Sequence, residues 1–416
     1  MLSLKEYKEE YHCPIIACLN VTNQCNLKCR YCFVNQNPER MSFETATTAV
    51  TYLYKNLTAR REKTGNPHLK GTINFFGGEP LLEWSLIKRL TEWIEEKYAN
   101  CFNLGITTNG TLLSKQNIDF LYEHKIIPLL SMDGDRETQE YNRPCKLRGS
   151  SFDLVKTHLS YLLEKFPNTV FRMTIYEDTC DKLFDNIIFA EQQGFKYFYA
   201  TPDSRHNFSK ENLKKLKIEL EKFYSYFTIS LINGIKPIES SFIRDMFLGV
   251  LREPSLKINE LDQLISRDIM RCGLGTVSIS IGPDGSIYGC QEQVTNNKEN
   301  NLFYLGDIYK GIAGDRHIKL LSEYRSLSAI ISETESLCED CGYRKLCYQV
   351  QCPSMAKQRF DNFFILPETM CFWNQTLYDL TKQVLSIYNE NIERYLTEII
   401  EEEEEYELYC RRNNLS

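Results

Sequence analysis

Three cysteines fall within eight residues: Cys25, Cys29 and Cys32, spaced C-x3-C-x2-C in the segment CNLKCRYC. Thiolates are the usual ligands of iron–sulfur clusters. Three of them can hold three corners of a four-iron cube and leave the fourth iron free to bind something else. A structural zinc site is instead closed by four protein ligands, and the nearest further candidates are His12, Cys13 and Cys18. A second set lies far downstream. Cys338, Cys341, Cys347 and Cys352 form C-x2-C-x5-C-x4-C, with Cys272 and Cys290 before them and Cys371 after. Tetrahedral thiolate sites suit zinc or iron–sulfur centres, so local spacing leaves that choice open. Six further cysteines (Cys13, Cys18, Cys101, Cys145, Cys180 and Cys410) read as packed or partly exposed thiols.

The rest of the composition narrows the class. With 416 residues the chain can bury its own core, so its 16 cysteines are not needed as disulfide staples. The first residues, MLSLKEYKEEYHCPII, are charged and lack the apolar core of a secretion signal. A reducing cytoplasm is the expected compartment, where cysteine clusters read as metal ligands or catalytic groups. A formal net charge of −7 argues against a nucleic-acid-coating surface. No apolar run approaches a membrane span, so neither nucleic acid nor membrane is an expected partner.

These thiols must be held by a scaffold, and the pattern of elements suggests which. Runs rich in Ile, Phe, Tyr, Val and Thr at 14–22, 71–76, 102–108, 126–132, 169–176 and 195–200 read as strands. Helix-length segments lie between them at 42–62, 83–98, 114–124, 151–165 and 181–193, and a further helix at 209–232 follows. Ser42, Ser114 and Ser151 stand where N-caps are wanted. Strands alternating with helices imply parallel pairing with crossovers. Six such units make an α/β fold: an open, partial (β/α)6 barrel over residues 1–232. Residues 233–265 read as a helical bridge and 266–373 as a small cysteine-rich domain that metal clusters would staple. Residues 374–416 read as a C-terminal helix with an acidic tail, in which the run at 401–405 is a solvated helix end.

The first cysteine motif resembles the radical S-adenosylmethionine (radical SAM) superfamily, and the resemblance extends over most of the chain. It implies that the free iron is chelated by the amino and carboxylate groups of S-adenosylmethionine. One electron then cleaves the cofactor, and a 5′-deoxyadenosyl radical removes a substrate hydrogen. Other residues fit this at one end of the expected barrel. FFGGEP places Gly77, Gly78 and Glu79 after the second strand, where the resemblance implies contact with the methionine amine. TTNG puts Thr107 and Asn109 after the third strand, and SMDG puts Ser131 and Asp133 after the fourth. Arg143 follows, and relatives use such a Ser and Arg around the cofactor carboxylate, which a guanidinium can bind bidentately. Tyr31, just before Cys32, is expected to cover the cluster or cofactor.

The downstream cysteines resemble the SPASM extension, which typically carries two auxiliary 4Fe-4S clusters, making three clusters in all. The resemblance implies that Cys272, Cys290 and Cys352 hold one cluster and Cys338, Cys341, Cys347 and Cys371 the other, one ligand short of eight. The four residues between Cys347 and Cys352 depart from the usual three. Proteins with this extension mostly modify ribosomally made peptides. The resemblance therefore implies a cysteine-containing precursor peptide or protein as substrate, and a reducing electron donor such as flavodoxin or ferredoxin. Two enzyme subgroups fit. Thioether maturases join a peptide cysteine sulfur to a carbon of another residue, and this is the expected activity. Anaerobic sulfatase-maturating enzymes make formylglycine and place an Asp base where this chain has Gln291, which cannot take a proton at neutral pH. Glu292, one position on, is the candidate substitute base. Only 24 residues precede Cys25, so no leader-binding domain is expected at this end. A metal-stabilised peptide-binding protein is the non-enzymatic alternative.

Overall fold

The computed structural model describes residues 13–252, 275–294, 300–324 and 367–412, with isolated positions between. Among the described residues the frame is one 11-stranded sheet. The six strands expected from sequence are present: β1 (Ile16–Thr22), β2 (Gly71–Gly77), β3 (Phe102–Thr108), β4 (Ile126–Ser131), β5 (Val170–Ile175) and β6 (Tyr197–Pro202). They pair in parallel and in chain order. The sheet extends at both edges rather than closing. β7 (Glu239–Ser240) adds to β6. On the other side β8 (Ser278–Ile281) runs parallel to β1 and begins an antiparallel series with β9 (Ser286–Tyr288), β10 (Tyr304–Asp307) and β11 (Gly311–Ile312).

Helices follow the strands as crossover chemistry requires. They are α1 (Phe43–Thr64), α2 (Trp84–Lys97), α3 (Lys115–Glu123), α4 (Arg136–Asn142), α5 (Ser151–Lys165), α6 (Leu183–Gln192) and α7 (Lys210–Ile232). Ser42 and Ser114 cap α1 and α3 by accepting from Thr45 N and Asn117 N. The cap of α5 is Ser150, not Ser151: Ser150 is extended and accepts from Asp153 N, while Ser151 is buried inside the helix. The short helix α4 was not expected from the sequence pattern. Asp135 starts it by accepting from Thr138 N.

Side-chain alternation decides where the site lies. Along β5, Phe171, Met173 and Ile175 are buried, whereas Arg172 and Thr174 are only partly so. Along β2, Ile73 and Phe75 are buried while Asn74 and Phe76 are not. One face of the sheet thus packs on helices and the other faces a polar hollow, consistent with the period of two.

The region expected as a helical bridge begins with β7 and continues as α8 (Ser241–Arg252). A further helix, α9 (Gly314–Tyr324), follows β11. The expected single C-terminal helix is two: α10 (Glu368–Leu385) and α11 (Glu390–Arg412). Asn389 breaks the run because its Oδ1 accepts from the N–H groups of Asn391 and Ile392, starting a new helix. α10 packs on the barrel helices, with Tyr224 Oη 2.9 Å from Thr381 Oγ1 and Trp373 against Phe242.

Candidate active site

The loop after β1 carries Cys25, Cys29 and Cys32 across the carboxyl ends of the strands, and three sets of contacts hold it. The N–H groups of Gly78 and Glu79 donate to the carbonyls of Thr22 and Gln24 at 2.9 and 2.8 Å. A strand-like ladder joins it to the segment after α4: Lys28 N to Pro144 O, Arg30 N to Asn142 O and Lys146 N to Asn26 O, each 2.9–3.0 Å. Arg205, beyond β6, donates to Cys32 O at 3.0 Å and is itself gripped by buried Asp203 at 2.8–2.9 Å. The two glycines of FFGGEP are demanded by this approach. A Cβ on Gly77, whose φ is +137°, would lie 2.1 Å from Thr22 O, and one on Gly78 would lie 2.1 Å from Gln24 O.

All three thiols line one cavity of about 420 Å³, together with Gly77, Gly78, Thr107, Asn109, Ser131, Arg143 and Glu292. Among the described residues no three His, Cys, Asp or Glu side chains converge on a single ion-sized point. Three thiols facing one hollow fit the three protein-held corners of a cube. Burial pushes the Cys25 thiol up to about 11 and Cys29 up to about 12, and the neighbouring thiols add to it. A cationic iron centre would offset both effects, since a bound metal deprotonates a ligating thiol. Cys25, Cys29 and Cys32 are thus the residues that would hold the catalytic cluster.

Asn109 sits beside this trio. Its Nδ2 lies 3.7 Å from Cys25 Sγ and 2.9 Å from Asn26 Oδ1. Glu79 is fully buried behind it and does not line the cavity. Its carboxylate accepts from Thr108 Oγ1 and Asn109 N at 2.7 Å and from Leu81 N at 3.0 Å. Burial still pushes this carboxyl up to about 7, against those donors. Thr107 accepts from Asn74 Nδ2 at 3.0 Å.

Asp133 is also fully buried, outside the lining, and binds Arg143 rather than leaving it free. Arg143 Nη2 donates to Asp133 Oδ1 at 3.0 Å, Thr174 N donates to the same oxygen at 3.0 Å, and Tyr31 Oη donates to Oδ2. Arg143 also lies 5.2 Å from the Tyr31 ring centroid. Burial opposes the Arg143 charge, but Asp133, with Tyr31 and Cys29, more than offsets it and holds the guanidinium protonated. Tyr31 therefore ties the cysteine loop to the end of β4 as well as facing the cavity.

Glu292 reaches the cavity from the turn after Cys290, and its neighbour Gln291 accepts from the Cys18 thiol at 3.0 Å. Cys290 and Cys371 are partly buried. Cys272, Cys338, Cys341, Cys347 and Cys352 lie outside the described residues. Sequence reasoning passed over Arg172, Asp203 and Arg205, all in the cavity wall. Their signal was positional: an arginine on the inward phase of a strand, and a D-x-R directly after another.

Comparison with known proteins agrees with this geometry. Residues 19–189 match the family model described as the Radical SAM superfamily. That match, together with the enzymes among the relatives below, supports a radical SAM enzyme. Among its relatives is the radical SAM cyclopropyl synthase TigE of Paramaledivibacter caminithermalis, 24% identical over 91% of this chain and 75% of that protein. The cysteine-type anaerobic sulfatase-maturating enzyme of Clostridium perfringens is 24% identical over 78% of this chain and 84% of that protein. Similar solved structures are anSMEcpe with bound AdoMet and Cp18Cys peptide, with a TM-score of 0.66 at 18% identity over 89% and 98% of the two chains. Streptococcus suis SuiB bound to precursor peptide SuiA gives 0.59 at 17% identity over 88% and 78%. At those identities the structural likeness is one of fold. Among the described residues no helix is long and apolar enough to cross a membrane.

Proposed function

We propose that this enzyme matures a ribosomally made, cysteine-containing peptide by forming a thioether between a cysteine sulfur and a carbon of another residue. The observation that carries the reading is the shared cavity, which three thiols, Gly77, Gly78 and Asn109 line together with polar side chains of β4 and β5. The bound cluster and S-adenosylmethionine would supply a 5′-deoxyadenosyl radical for abstraction of a peptide hydrogen. The chain's own residues orient and shield. Gly77 and Gly78 let the cysteine loop close over the strand ends, Asn109 stands at Cys25, and the Tyr31–Asp133–Arg143 pairs lock the loop to β4. The downstream cysteines, as a SPASM-type region, would hold two auxiliary clusters and accept the electron released when the thioether closes. Peptide-bound structures of similar fold support a peptide substrate. A reduced flavodoxin or ferredoxin would supply the first electron.

Formylglycine formation is the second reading, and the placement of Glu292 favours it. That carboxylate lines the cavity, where it can take the proton of a substrate thiol or hydroxyl.

The test is anaerobic reconstitution with iron counting, 5′-deoxyadenosine assay, and mass spectrometry of candidate peptides. About twelve irons per chain fit three cubes. Loss of two hydrogens with loss of an alkylatable thiol supports the thioether. The same mass loss with the thiol retained points to carbon–carbon closure, as the name of TigE suggests for that relative. Conversion of a cysteine to an aldehyde supports formylglycine. Zinc in place of iron, or no cofactor cleavage by reduced protein, refutes the radical reading.

A further inference from the structure

Three arginines line the cavity, and two are already neutralised. Arg143 is paired with Asp133 and Arg205 with Asp203. Arg172 makes no ion pair among the described residues. It projects from the inward phase of β5, with its guanidinium 4.6 Å from the Tyr199 ring centroid and one N–H donated to Met173 O at 2.7 Å. A guanidinium carries five N–H donors, and the bond to Met173 uses one of them. Burial lowers its proton affinity and Arg143 nearby adds to that, while Tyr199, Tyr31 and Asp133 oppose it. Buried charges in proteins are ordinarily paired, so a cation left unpaired in a cavity marks the place of an anion that arrives with a ligand.

Position indicates which ligand. Arg143 lies within electrostatic reach of Cys29, and Arg205 donates to Cys32 O. Arg172 stands opposite Ser131 in the β4–β5 register, with Thr174 two residues along on the same face. In the sheet it stands on the fourth strand from β1, whose following loop carries the cluster thiols. We propose that Arg172 is the receptor for a carboxylate carried by the substrate, an Asp or Glu side chain close to the residue modified. This uses the peptide reading above to name the carrier of the carboxylate.

The experiment uses the cluster-loaded enzyme with S-adenosylmethionine bound. Its probes are N-acetyl-aspartate methylamide and N-acetyl-glutamate methylamide, each against its uncharged asparagine or glutamine counterpart, with binding followed by ligand-observed NMR. The wild type should hold an acid about tenfold or more over its amide, the range of a charge-assisted pair. Arg172→Gln should bring that ratio close to one. Arg172→Lys keeps the charge without the fork, should retain part of the preference, and serves as the folded comparison if the glutamine variant loses iron. Equal binding of acid and amide to the wild type overturns the proposal, as does a preference that survives in Arg172→Gln. It is also overturned if Arg172→Gln instead erases discrimination between S-adenosylmethionine and its decarboxylated form, because the anion is then the cofactor's own. Failure of the peptide-maturase reading would show separately, as the absence of modified peptide while the acid preference persists.

Discussion

Asp133→Asn is the sharpest test of how the site is held together. The Asp133 carboxylate is completely buried and accepts from Arg143, Thr174 N and Tyr31. An asparagine can still accept from Arg143 and Thr174 with its one oxygen. Its amide nitrogen then faces the Tyr31 hydroxyl, which must reverse and accept. The larger effect is electrostatic: the Arg143 side chain, 8% exposed, is left charged with no counter-ion. Breaking one partner of such a buried pair costs about 3–5 kcal/mol. Urea unfolding of the anaerobically prepared protein should show a loss of that order. Iron retained after reconstitution should fall as well, because Tyr31 belongs to the cysteine loop. A double-mutant cycle isolates the pair. Arg143→Met should also destabilise, but the double variant should cost less than the sum, with a coupling of about 2 kcal/mol. Additivity within about 0.5 kcal/mol, or a single-variant cost below about 1 kcal/mol, would refute the reasoning.

Four further outcomes follow from particular contacts. Gly78→Ala should destabilise by about 3 kcal/mol or more and lower iron content, since its Cβ would meet the Gln24 carbonyl at 2.1 Å between two backbone segments; chemical unfolding and iron analysis check both. Glu79 is an acid held up to about 7 in the folded chain against an ordinary value of 4.5, so the native state binds more protons between those values. Its contribution to stability therefore falls as pH rises through that window, by about 3 kcal/mol in all, and Glu79→Gln should flatten that slope when unfolding is compared at pH 5 and pH 7.5. Arg205→Gln leaves buried Asp203 uncompensated beside Cys32 and should lower the midpoint potential of the catalytic cluster, whereas Asp203→Asn should raise it; potentiometric EPR reads the sign of each. Cys25→Ala, Cys29→Ala and Cys32→Ala should each abolish 5′-deoxyadenosine formation, checked by chromatography of the reaction.

Much of the scaffold was legible because its signals are local. The six parallel strands, the Ser42 and Ser114 caps and the three thiols of the first motif follow from residue types at short spacing, which the backbone reads within a turn or a strand. Where a second local signal competed, the reading slipped by little: Ser150 caps in place of Ser151, and Asn389 divides the last helix in two.

What only the tertiary structure decided is which charges meet. Glu79 and Asp133 stood in motifs that suggested ligand contact, yet both are buried behind the cavity wall and bind protein donors. Arg143 was expected at the cofactor carboxylate and donates to Asp133, while Arg172, which no motif marked, lines the cavity with no ion pair among the described residues. The GGE glycines were attributed to a ligand's approach, and the closest approach is that of residues 22–24 of the same chain. The physical reason is common to all of these. Electrostatic pairing and steric approach depend on distances across the sheet between residues tens of positions apart. Thiol identity and spacing, by contrast, determine cluster chemistry within a single loop. The sequence by itself therefore determined what the site is made of, and the fold determined which of its charged groups remain available to a ligand.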